Sequence, residues 1–189
     1  PGYEARPGQL KMSRAVAKAL TDRLHLVVDQ GIGIELRHPF GIAREILVLE
    51  PQHLVPEPRA TAQNDDNHIG KLVRIGPDGA PAGAGTEGWL PETWSKGHRN
   101  VQSAALDGQG RLWIVEMGPQ GGDELNQPQA GLNYGWPIIT YGEDYDGTPI
   151  GEGITAQDGL EQPVYYWDPV IAPGGAVFYQ GAMFPGWDG

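Results

Sequence analysis

Apolar and polar positions follow two different rhythms along this chain. In residues 10–24, Leu10, Val16, Leu20 and Leu24 recur at a spacing that shares one helical face, which predicts a helix there. Leu26-Val27-Val28 and Ile46-Leu47-Val48-Leu49 are short apolar runs of strand length. From residue 68 onward the pattern becomes short strands separated by glycine turns. Residues 68–75 read as a strand closed by Gly76-Pro77-Asp78-Gly79, and residues 92–97 read as another approach to a turn. Residues 103–107 and 111–116, joined by Gly108-Gln109-Gly110, predict a hairpin. A fainter repeat of that hairpin is expected over residues 163–167 and 174–179. Short strands with interleaved aromatics and glycine turns point to an all-β architecture, and their repetition suggests propeller blades.

Composition reinforces the strand reading. Gly and Pro number 29 and 17 of 189 residues, a share that disfavours a helical bundle, while six Trp and seven Tyr supply material for an ordered core. Net charge is −11, which argues against a nucleic-acid partner, since backbone binding needs a positive footprint. The charge is unevenly placed: residues 1–60 carry eight Lys/Arg against seven Asp/Glu, and residues 61–189 carry five against seventeen. The chain therefore divides into an atypical N-terminal segment, 1–60, and a strand-rich segment, 61–189. The absence of cysteine removes disulfide, zinc-thiolate and cysteine-nucleophile chemistry. No apolar run is long enough to span a bilayer, and no export signal is recognisable at the start.

Three polar loops carry candidate chemistry. Gly97-His98-Arg99-Asn100 places an arginine fork, suited to carboxylates, quinone oxygens or an aromatic face, beside the amides of Asn100 and Gln102. A salt-bridged turn is the alternative role for this loop. Residues 116–124 combine Gly and Pro, which shape converging carbonyls, with the adjacent carboxylates Asp123 and Glu124. Such oxygens suit calcium, although the spacing is not that of an EF-hand. Glu143-Asp144-Tyr145-Asp146-Gly147 is a second oxygen-rich stretch. No Gly-x-Ser-x-Gly elbow, His-Glu-x-x-His pair, phosphate loop or dinucleotide fingerprint appears, and a glycosidase carboxylate pair stays open because its spacing is spatial.

Six boxes in order carry a family likeness. Gly97-His98-Arg99-Asn100-Val101-Gln102-Ser103 resembles the Gly-His-Arg-Asn-Pro-Gln-Gly motif of the soluble, pyrroloquinoline quinone (PQQ)-dependent glucose/sorbosone and aldose sugar dehydrogenases. Residues 116–126 resemble that family's Glu-x-Gly-Pro-x-x-x-Asp-Glu-Ile-Asn loop, and Asn133-Tyr134-Gly135-Trp136-Pro137 its Asn-Tyr-Gly-Trp-Pro box. His68-Ile69-Gly70-Lys71-Leu72-Val73-Arg74 is similar to an upstream strand of the family. Glu161-Gln162-Pro163 and Ile171-Ala172-Pro173-Gly174-Gly175 are similar to stretches further on.

The resemblance implies part of a six-bladed β-propeller that oxidises an aldose or related sugar or aldehyde, passing hydride to calcium-bound quinone and then electrons to an external acceptor. It implies that Arg99, Asn100 and Gln102 contact the cofactor. The carbonyls of Gly118 and Pro119 would ligate the cofactor's calcium. Glu124 and Tyr134, with Asp144 as third member, would form a second, structural calcium site. A periplasmic or secreted location is implied in the same way. No residue of 1–60 matches the family's catalytic-histidine blade; His38 is the nearest candidate. Val101 and Ser103 depart from the motif's Pro and Gly, and Gly174 from a usual Ser. Two other readings are a non-catalytic calcium-binding propeller fragment or sugar-binding domain, and a propeller lactone or ester hydrolase. Oligomeric state is not legible.

Overall fold

The structure, a computed structural model, describes residues 27–28, 31–37, 43–49, 58–76 and 80–187. The helix expected over residues 10–24 and His38 lie outside the described residues. Among the described residues nine strands form two antiparallel sheets. The first contains β1 (Val27–Val28), β2 (Gly31–Arg37), β3 (Ala43–Leu49), β4 (Lys71–Ile75) and β5 (Thr93–Lys96), in chain order across the sheet. The second contains β6 (Val101–Leu106), β7 (Leu112–Glu116), β8 (Asp123–Asn126) and β9 (Tyr165–Trp167), again in chain order. One four-residue helix, α1 (Pro58–Thr61), precedes β4.

Sequence-adjacent strands pair side by side, some across a long loop, such as β8 (Asp123–Asn126) and β9 (Tyr165–Trp167), and others through a short turn. The β6–β7 hairpin is the clearest case. Asp107 accepts hydrogen bonds from the backbone N–H groups of Gln109 and Arg111 at 2.9 Å each, which closes the turn. The apolar runs at 27–28 and 46–49 do form strands, and β3 pairs with β4, so Leu47 faces Val73 in register. The strand expected over residues 68–75 begins only at Lys71. The hairpin partner expected at 174–179 is not a strand. Its neighbourhood bonds to side chains instead: Ala176 N–H donates to Ser103 Oγ, and Ala172 adopts a φ of 50° incompatible with a ladder.

The two sheets meet in one core. Leu72 from β4 packs with Val101, Ala104, Leu112 and Ile114 of β6 and β7, and Trp94 of β5 covers the cluster with Leu106. Each such buried aliphatic side chain contributes about 1.5–3 kcal/mol. A smaller cluster of Ala62, Trp136 and Ile150 fastens α1 to the loops after β8. Lys71 is buried beneath them. Its ammonium donates to the carbonyls of Thr61, Ala62 and Ile69 at 3.3, 2.9 and 2.7 Å. Burial, helped by Lys96, pulls its pKa down to about 8. Among the described residues no helix is long and apolar enough to cross a membrane.

Candidate functional site

The site begins where β5 ends. Gly97 turns the chain with a φ of 79°, and a Cβ there would lie 2.3 Å from Asn133 Oδ1 and 2.4 Å from Gly135 N. Only glycine lets the loop at 97–100 press this closely on the loop at 133–136. Gly97 O in turn accepts from Trp136 N–H at 2.9 Å. The next residue, His98, points inward and is almost fully buried. Its Nε2 bonds Ser95 Oγ at 2.8 Å, its Nδ1–H donates to Glu116 Oε1 at 3.2 Å, and its ring stacks on Tyr134 at 4.9 Å.

Glu116, at the end of β7, collects donors from several elements. Oε2 accepts from Arg99 N–H at 2.8 Å, and Oε1 also accepts from Asn126 Nδ2 at 2.9 Å. Burial pushes its carboxyl pKa up. The His98 charge and the hydrogen bonds from His98, Arg99 and Asn126 outweigh that and hold it below the ordinary value. The other hydrogen of Asn126 Nδ2 goes to Glu124 Oε2 at 2.9 Å, so one buried amide bridges two carboxylates. Glu124 is pushed up to about 8, first by burial and then by the Glu116 charge. Asn126 Oδ1 is buried without a hydrogen-bond partner.

Arg99 crosses from this network to the loop after β7. Its Nη1 donates to Met117 O at 2.8 Å and to Gly118 O at 2.7 Å, and its Nη2 reaches Tyr145 OH at 3.4 Å. The guanidinium lies over the Trp136 ring, 5.3 Å from its centre. Burial pulls its pKa below the usual arginine value, with Tyr145 acting against that. Gly118 itself is fixed. Its N–H donates to Asp123 Oδ1 at 2.8 Å, and a Cβ on it would come within 2.1 Å of Gly121 O. The second oxygen of Asp123 accepts from Ile171 and Ala172 N–H at 2.7 Å each. Asp123 thereby ties the Gly118 loop to the segment that follows β9.

Of the residues singled out in the sequence, Arg99, Gly118, Glu124 and Tyr134 line one small cleft, part open to solvent, together with Glu116, Trp136 and others. Tyr134 is buried, its hydroxyl donating to Gln127 O and accepting from Gln129 N–H at 3.1 Å each, and burial pushes its pKa up to about 12. Pro119, Asn100, Gln102 and Asp144 are not part of that lining. Pro119 is buried next to Gly118. Gln102 Nε2 donates to Asn100 Oδ1. Asp144 accepts from Arg59 Nη1 and Nη2 at 2.6 and 3.1 Å, and that pairing is the first cause holding its pKa at about 2.

The sequence reading did not single out His98, Glu116 or Asn126 as site residues, and it offered Asp123 only as a carboxylate suited to calcium. Strand alternation held part of the signal: in β8 it sets Glu124 and Asn126 on one face and Asp123 on the other. Adjacent carboxylates in β8 therefore serve opposite sides of the sheet.

The oxygens around the cleft suit a hard cation. They comprise the carbonyl of Gly118 and a carboxyl raised by burial and by a second carboxylate beside it. Among the described residues no three His, Cys, Asp or Glu side chains converge on one point, so a cation here would draw on carbonyl oxygens as well as carboxylate. The buried guanidinium beside Trp136 suits a planar, anionic ligand.

The family model described as Glucose / Sorbosone dehydrogenase matches residues 52–189. The aldose sugar dehydrogenase YliI of Escherichia coli (strain K12) is 45% identical over 138 residues, covering 68% of this chain and 36% of that protein. A crystal structure of glucose dehydrogenase superposes with a TM-score of 0.73 at 41% identity, over 82% of this chain and 45% of that one. The PQQ-bound aldose sugar dehydrogenase of Streptomyces coelicolor gives a TM-score of 0.50 at 29% identity, over 75% and 38%. The chain spans about a third of the length of the curated relatives it matches. The fold expectation is met: two antiparallel meanders form part of a β-propeller of the sugar dehydrogenase type.

Proposed function

The chain belongs to the Glucose / Sorbosone dehydrogenase family, and on that premise we propose that it forms the cofactor side of an oxidoreductase that oxidises aldose sugars with pyrroloquinoline quinone and calcium. The observation that carries this reading is the buried Arg99 guanidinium, held over Trp136 and against the Gly118 carbonyl in a cleft shared with Glu124 and Tyr134. When bound, the quinone would accept hydride from the sugar carbon while calcium polarises it, and an external acceptor would then take the electrons.

This chain's own residues would bind and orient. The carbonyls of Gly118 and Pro119 would hold the cofactor's calcium. Arg99 would meet the negative oxygens of the quinone, with Asn100 and Gln102 at the edge of its site. Glu124 and Tyr134 would serve a second calcium. Asp144 as a third member would first have to leave Arg59. His98 is committed to Ser95, Glu116 and Tyr134, and His68 pairs with Glu92, so neither is offered as the base that takes the hydroxyl proton. A periplasmic or secreted setting belongs to the same proposal.

The test is equilibrium binding of pyrroloquinoline quinone to the chain with and without calcium, followed by aldose-dependent dye reduction. Saturable binding that needs calcium and weakens in Arg99→Ala is expected. Quinone binding that is absent, or indifferent to calcium and to Arg99, would sink the proposal.

A further inference from the structure

Arg99 occupies a position that its assigned role does not explain. Its guanidinium donates into Gly118 O at 2.7 Å, the same carbonyl proposed to hold calcium. Among the described residues no carboxylate pairs with that guanidinium. Both oxygens of Glu116 are taken, one by the backbone N–H of Arg99 and the other by His98 and Asn126. The charge is therefore compensated by carbonyls and an aromatic face, as a small cation in a carbonyl cup would be.

We propose that the Arg99 guanidinium is the resident cation of the Gly118 carbonyl and that it alternates with calcium there. This rests on the functional reading above and adds an order of events to it. Two positive groups cannot share one carbonyl in a desolvated pocket without strong repulsion. One of the partners must move, and the loop cannot. Gly118 is pinned by Asp123 through its N–H, and Gly121 and Gly122 crowd its Cα. The arginine side chain is the element that can rearrange: its Nη1 is held by Met117 O and Gly118 O, but its Nη2 has only a long contact with Tyr145 OH at 3.4 Å, and the cleft is part open. Calcium entering at Gly118 expels the guanidinium toward the cleft mouth, where it meets the anionic oxygens of the incoming cofactor. Metal loading thus frees Arg99 for the quinone, and the apo pocket guards its carbonyl against adventitious cations.

The two ligands must respond to Arg99 with opposite sign. Calorimetric titration of calcium into the quinone-free chain should show Arg99→Gln binding at least tenfold tighter than the unsubstituted chain. Quinone binding to the calcium-loaded variant should be at least tenfold weaker. A merely structural role for Arg99 would weaken both. Calcium affinity equal or lower in the variant, with calcium-dependent quinone binding intact in the unsubstituted chain, overturns the alternation and leaves the functional reading standing. Failure of the unsubstituted chain and the variant alike to bind calcium overturns both. Should Arg99→Gln not fold, the unsubstituted chain decides the matter by NMR of its arginine Nε–H groups. The Arg99 signal is expected to shift on calcium addition, and a signal unmoved at saturating calcium overturns the proposal.

Discussion

Replacing Asp123 by Asn tests the strongest tether in the site with almost no change of shape. In the native chain one carboxylate accepts three backbone N–H groups, from Gly118 at 2.8 Å and from Ile171 and Ala172 at 2.7 Å each. Asparagine keeps one acceptor oxygen and turns the other into an N–H₂ donor. The better orientation keeps the oxygen on Ile171 and Ala172 and points the amide at Gly118 N–H, where two donors face each other in a buried position. Three hydrogen bonds to a charged acceptor become two weaker neutral ones, and one buried donor is left unmet. At about 1.5–3 kcal/mol for a charged bond, about 1 for a neutral one and 1–3 for an unmet buried donor, the net loss is at least about 3.5 kcal/mol. For a chain of this size that lowers the melting temperature by at least roughly 7 °C. Circular dichroism melts of Asp123→Asn beside the exposed control Asp158→Asn measure it, the control being expected to stay within about 0.5 kcal/mol. A loss for Asp123→Asn no larger than the control's would refute the tether.

Lys71→Met should cost about 2 kcal/mol by urea denaturation, because the carbonyls of Ala62 and Ile69 lose their ammonium donor while the burial penalty on the charge is relieved; a more stable variant would contradict this. Gly97→Ala forces a side chain into a φ of 79° and onto Asn133 and Gly135, so a loss of at least about 2 kcal/mol is expected in the same assay. Glu116 has a folded-state pKa below its unfolded one, so the stability it contributes is present above the unfolded value. That stability disappears as pH falls through the lower, folded value. Melts from pH 6 down to pH 3 should fall more steeply for the native chain than for Glu116→Gln, and parallel curves would show that the carboxylate is not held this way.

Local features were readable from the sequence to the extent that their partners are local. The β6–β7 hairpin follows from two short strand-like runs and the glycine turn between them, five residues from strand to strand. The boxes at 97–103, 116–126 and 133–137 were matched by resemblance, and Arg99, Gly118, Glu124 and Tyr134 from them do surround one cleft. Pairing across long separations was not readable. Asp144 looked like a free oxygen ligand, yet its partner Arg59 lies 85 residues earlier. Residues 174–179 have strand composition, but Ser103, 73 residues earlier, takes a backbone donor there that a ladder would need. Glu116 resembled an ordinary loop acid and Asp123 a carboxylate suited to calcium, because what distinguishes them, burial among donors from other elements, has no signature in spacing.

The tether through Asp123 also imposes a schedule on synthesis. Its partners Ile171 and Ala172 are 48 and 49 residues further along the chain. At translation rates of about 5–20 residues per second, the Gly118 loop waits roughly 2–10 s after Asp123 is made before its last two donors exist. During that interval a buried carboxylate lacks most of its partners, so the loop is exposed to mispairing or to a chaperone. A pause in translation just before residue 171 would lengthen that window, and a pause just after 172 would let the loop close first.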